Sequence, residues 1–175
     1  MKSFITRAPS GSLRRLMTVF LYAALLSLAL ASTNAQAGSH GEQQPDMVKV
    51  TPSPKSFPET LDALRKAAGD AGWSILNENN MAGVLSERGF TLDPVMIIDV
   101  CSGQYSARIL ENDDYRPVSA FMPCRISVYQ DSQGQVFIAR MNVPAFLPMM
   151  PEGVAGVMEQ SDNEIAEIIE RAVSQ

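Results

Sequence analysis

The sequence predicts an α+β fold in two layers, a mostly antiparallel sheet covered by helices. Three features carry that reading: a capped amphipathic helix near the start, two alternating runs around a glycine turn, and a long amphipathic helix at the end. The predicted order is strand, helix, two strands, short helix, two strands, helix.

Met47 to Thr51 (MVKVT) alternates apolar and polar residues, as a half-buried strand does. Ser56 and Glu59 then stand at the S-x-x-E spacing of a capping box, with Pro58 in the first turn, where its missing N–H costs nothing. Leu61, Leu64 and Ala68 fall on one face and Gly72 supplies a stop, so a helix is expected over 57–71. Trp73 to Asn77 reads as a strand. Val95 to Val100 (VMIIDV) is apolar almost throughout and reads as an interior strand ending at Cys101.

SGQYSARILEND, from Ser102, is a short helix with Tyr105, Ile109 and Leu110 turned inward. Arg125 to Tyr129 and Gln135 to Met141 alternate around QDSQG, a hairpin signal with glycine in the turn. After the proline-broken NVPAFLPMMPEG comes the last helix, over 154–173. Val154, Val157, Met158, Ile165, Ile168, Ile169 and Ala172 make its apolar stripe.

The amino-terminal residues carry a different signal. Lys2, Arg7, Arg14 and Arg15 precede an apolar run from Leu16 to Ala31, and Ala35-Gln36-Ala37 matches an A-x-A cleavage site. Residues 1–37 are therefore expected to be a signal peptide. Residues 38–46 are expected to be a flexible leader and 47–175 a single domain. The expected location is periplasmic or secreted, with membrane contact only transient, through the signal. A membrane anchor is the competing reading, the run being slightly short of a span.

The chain has 14 basic and 19 acidic residues; without the four basic residues of the signal the balance is −9. Such a domain is a poor partner for nucleic acid, whose phosphates need Lys and Arg. The single histidine, His40, lies in the leader, so a Ser-His-Asp or Cys-His arrangement or a His/Cys zinc cage cannot be built within the domain. No glycine-rich phosphate loop is present. Asp113-Asp114 and the many glutamates read as a solvated acidic surface.

SFPETLDALRKAAGDAGWSI, then VMIIDVC, then MPCRISVYQDSQGQVFIARMN and the closing helix resemble the family called domain of unknown function 302, over Val48 to Val173. Where members carry Asn-Pro this chain has Val100-Cys101. Where they carry a Leu-Pro-Leu-Arg type strand it has Met122-Pro123-Cys124-Arg125, so it resembles a cysteine-bearing branch. The resemblance implies a compact βαβββα-type domain that forms homodimers, and no established activity.

Cys101 and Cys124 are the sharpest chemical feature. In an oxidising compartment two cysteines most simply form a disulfide. Each stands at the end of a predicted strand, so the two strand ends meeting at one rim of the sheet would permit it. The alternative is a reactive pair for redox or sulfur-transfer chemistry. There Cys101 would sit at a helix start, and Arg125 beside Cys124 would lower its pKa. A third reading is soft-metal binding. Cys101, Cys124, Met149 and Met150 offer thiolate and thioether ligands that suit Cu(I), so copper is the one cofactor considered. Core packing explains Met122, Met141 and Met158; the Met149-Met150 pair between two prolines has no such explanation.

Tyr105, Arg108 and Tyr115 are further candidates near the cysteine rim, and Arg140 projects from the strand before the methionine pair. The functional expectation is a non-enzymatic domain binding a small ligand or protein partner at the Cys101/Cys124 rim, with Tyr105 and Arg125 contributing.

Overall fold

The structure, a computed structural model, describes residues 47–174. The expected signal peptide and leader lie outside the described residues. β1 (Val48–Ser53) leads to α1 (Phe57–Asp70), β2 (Ser74–Asn80), the short α2 (Met81–Ser86) and β3 (Val95–Cys101). Then come α3 (Gly103–Leu110), a 3-10 turn over Arg116–Phe121, β4 (Cys124–Gln130), β5 (Val136–Met141), two further 3-10 turns and α4 (Glu152–Ser174). No described helix is long and apolar enough to cross a membrane.

The five strands form one sheet in the order β1-β5-β4-β3-β2, antiparallel throughout. α1 and α4 lie together on one face. Ile98, Val100, Ile126, Val128, Val136 and Ile138 project from that face into a core shared with Leu61, Leu64, Ile165 and Ile168. The two-layer α+β expectation therefore holds.

Local chemistry explains the element ends. The backbone N–H and hydroxyl of Ser56 both donate to the Glu59 carboxylate, at 3.0 and 2.6 Å. Those bonds, the hydroxyl's first, hold Glu59 below the usual carboxylate range. Gly72 takes φ +76 just past α1, where a side chain would strain the backbone. In the hairpin, Asp131 accepts from the N–H groups of Gln133 and Gln135, and Gly134 takes φ +81.

Three expectations change. Trp73 precedes β2 rather than belonging to it and packs into the core, its ring centroid 6.1 Å from that of Tyr105. The stretch after β2, without an assignment from sequence, forms α2, capped by the Asn80 side chain accepting from the Gly83 N–H at 2.9 Å. β1 is inverted. Val48 and Val50 are about half exposed on the open face of the sheet, while Lys49, Thr51 and Ser53 turn toward the helices. Each inward polar end there has chemistry to justify it: Lys49 pairs with Asp162, and Ser53 bonds Thr60 at 2.7 Å.

Candidate functional site

β3 and β4 run side by side and deliver the two cysteines to one end of the sheet. The register sets Val100 opposite Cys124 and Cys101 opposite Ser74. Cys101 closes β3, Ser102 is the N-cap of α3, and the next turn brings Ser106 back, its Oγ 3.1 Å from the Cys101 Sγ. Cys124 opens β4 on the helix-facing side and is bonded to Ser161 of α4.

Above these strand ends lies a chamber of about 550 Å³. α3 supplies Tyr105 and Ile109, α4 supplies Met158 and Ser161, and the 3-10 turn Arg116–Phe121 supplies Val118 and Phe121. A second small core of Ile109, Val143, Val154, Val157 and Met158 supports it from behind. Phe121 and Met149 stand at the mouth, 74 and 73 % exposed. The lining is apolar and rich in sulfur: both cysteines, and the thioethers of Met122, Met141, Met149, Met150 and Met158.

The expected disulfide is not formed. Both thiols are free, and the register explains why: Cys124 faces Val100 rather than Cys101, and each thiol turns to its own serine. The expected activation of Cys124 by Arg125 is also overturned. Successive side chains of a strand point to opposite faces. Arg125 therefore lies on the open face, its Nε donating to Asp99 at 3.2 Å, while Cys124 faces the helices. Burial pushes the Cys124 thiol up; the Ser161 hydrogen bond opposes this, and nearby Cys101 and Asp162 add to it.

Tyr105, Cys101, Cys124, Met149 and Met150 are thus brought together, and Arg125 is not. The Tyr105 hydroxyl is raised above its usual value by burial and then by a hydrogen bond to Glu164. Arg108 bonds Gln160 at 2.8 Å, and the Tyr115 ring lies against Gly153. Among the described residues no three His, Cys, Asp or Glu side chains are grouped to hold a metal ion.

A second hollow of about 390 Å³ shares Phe121–Cys124 and Met141 with the chamber and holds Arg140 and Asp162. Asp162 is buried on α4, in ion pairs with Arg140 and with Lys49, the latter at 3.2 Å. Sequence reasoning missed Ser161 and Asp162. Their signal was present: they occupy the buried spacing between Met158 and Ile165, and they are polar.

The chain matches the family described as "Domain of unknown function DUF302" over residues 49–174. It belongs to that family. The crystal structure of an uncharacterized conserved DUF302 protein from Bacillus stearothermophilus shares the fold, with a TM-score of 0.66 and 22% identity. The match covers 73% of this chain and 98% of that one. No curated protein matches the chain. Membership in DUF302 thus accounts for the architecture and indicates no specific activity, so any functional reading of this DUF302 domain rests on the chamber.

Proposed function

We propose that this domain is a non-enzymatic binding protein, working in an exported setting, that takes a small apolar molecule into the chamber at the Cys101/Cys124 end of the sheet. The observation that carries this reading is the chamber itself. Its volume, about 550 Å³, falls in the range typical of small-molecule sites, and its lining of aliphatic, aromatic and thioether groups with a few hydroxyls has their usual composition. Methionines suit such a wall because their unbranched, polarizable side chains adapt to irregular ligands. The chemistry for turnover is thin. The described residues contain no histidine, and Cys124 is held in its unreactive thiol form by burial.

Trp73 lines the chamber and is the chain's single tryptophan, so its emission reports occupancy directly. Titration with 1-octanol is expected to give a saturable change in Trp73 fluorescence, weakened by Val118→Phe, which fills the chamber. A linear, non-saturating response, or one insensitive to Val118→Phe, would remove this reading.

A second reading rests on the sulfur lining. Two free thiols and five thioethers border one space, a donor set that suits Cu(I). Titration with Cu(I) under reducing conditions tests it. Stoichiometric uptake lost in Cys101→Ser supports a soft-metal role; no uptake, or uptake indifferent to that substitution, ends it.

A further inference from the structure

The Lys49–Asp162–Arg140 cluster carries two cations and one carboxylate. Asp162 is 3% exposed and the Arg140 side chain 9%, while Lys49, opposite Arg140 in the register on the helix-facing side of the sheet, keeps 40% of its side chain exposed. Pairing Asp162 with either cation leaves the other without a counter-charge, so the cluster carries one net positive charge. Arg125, which borders the same hollow from the open face, is matched by Asp99 and adds nothing net.

The cluster adjoins the chamber. Ile126 pairs with Arg140 across β4 and β5, which places Cys124, two residues along the same face, diagonal to Arg140. Of the cluster, Asp162 stands nearest the Cys124 thiol and raises it, with its two cation partners beyond it, and Phe121 to Cys124 border both hollows. On the opposite side, Glu164 holds the Tyr105 hydroxyl, with the Arg108 cation and the Glu167 carboxylate both near it, two acids to one base. The two sides of the chamber thus differ: the cationic pair Lys49 and Arg140 lies beyond the Phe121–Cys124 rim, and the Glu164 and Glu167 carboxylates lie at Tyr105.

We infer that the ligand is an amphipathic anion, an aliphatic or aromatic carboxylate whose apolar body fills the chamber while its charged head crosses the Phe121 rim toward Lys49 and Arg140. This rests on the chamber being a binding site, as proposed above. An unmatched cation in a partly desolvated hollow favours an incoming anion more strongly than the same charge in water.

Three probes with one tail and different heads test the inference: octanoate, 1-octanol and octylammonium, each titrated against Trp73 fluorescence at low salt. Octanoate is expected to bind about tenfold tighter than octanol, and octylammonium weakest, from a single net charge at partly screened distance. Lys49→Met leaves Asp162 matched by Arg140 alone. Because Lys49 is half-exposed on an edge strand, the variant is expected to fold, which its thermal melt checks. In it octanoate should weaken to the octanol value while octanol is unmoved. Octanol binding as tightly as octanoate, or an octanoate advantage that survives Lys49→Met, overturns the inference and leaves the apolar chamber standing. Binding of none of the three overturns both.

Discussion

Cys124 and Arg125 are adjacent in sequence and sit on opposite faces of the sheet, the thiol under α4 and the guanidinium beside Asp99 on the open side. Neighbouring positions in a strand are the least able to share an environment. In a Cys101→Ser background, Cys124 is expected to react slowly with iodoacetamide at neutral pH. Arg125→Met should leave that rate unchanged within about twofold, since no cation is lost from the thiol's surroundings. A rate that drops about tenfold would place the guanidinium at the sulfur after all.

The first turn of α4 meets Tyr115 closely. A Cβ at Gly153 would stand 2.6 Å from the Tyr115 hydroxyl oxygen and 2.9 Å from its ring edge. Gly153→Ala is therefore expected to destabilise by about 1–3 kcal/mol through overpacking. In a Tyr115→Ala background the obstruction is gone, and the same change should become stabilising, since alanine is the better helix former by about 1 kcal/mol. Urea unfolding of the four proteins reads the reversal of sign.

Much of this architecture was legible because local signals agreed with the tertiary demand. The Ser56/Glu59 box, Gly72, the Gly134 turn and the apolar stripe of α4 each specify their element without help from elsewhere. What was illegible depended on contacts between distant residues. β1 reads as an apolar-inward strand until Asp162, more than a hundred residues away, claims Lys49 for the inner face. Arg116–Phe121 has no period of its own and is shaped by the cores it covers.

The site was half legible for the same reason. The cysteines were visible as types, and their approach to one rim followed from strand ends. Met122, Met141 and Met158 read as packing residues; Met141 and Met158 do pack in the second small core, whereas Met122 precedes β4 and belongs to neither core. That they line one chamber with Met149 and Met150 emerges only when β5, α4 and the turns are assembled. Ser161 and Asp162 broke the stripe of α4 in plain view, and a polar residue at a buried helical position is the signal to weigh more heavily.

Arg65 ties α1 to β2. Its Nε and one terminal nitrogen donate to the two Glu78 carboxylate oxygens at 2.8 and 2.7 Å, and Asp62 takes the other terminal nitrogen. The Arg65 hydrogen bond holds Glu78 below its ordinary 4.5. A carboxylate with a depressed folded pKa contributes stability above its unfolded value and loses it as pH falls through the folded value. Glu78→Gln should thus be less stable by about 0.5–1 kcal/mol at neutral pH, the pair being partly exposed. The difference from the parent should persist down to about pH 4.5 and fade as pH falls through the lower folded value. Thermal melts across that range measure it; a gap independent of pH would assign the loss to packing instead.

Asp162 is the acid whose removal should cost most. It is buried against Arg140, whose side chain is 9% exposed, and no other acid is paired with that guanidinium among the described residues. Asp162→Ala leaves a charge in the interior without its counter-ion, a loss of about 3–5 kcal/mol for buried pairs. Replacing both partners, Asp162→Leu with Arg140→Met, removes the desolvation cost together with the attraction. That double variant is expected to recover most of the stability, a strongly non-additive result in urea unfolding. If Asp162→Ala alone cost under about 1 kcal/mol, the pair would be solvated rather than buried. Apolar residues would serve the core as well at these positions, and because the double variant keeps Lys49 and the cluster's single net positive charge, it should still prefer octanoate over octanol, whereas Lys49→Met loses that preference.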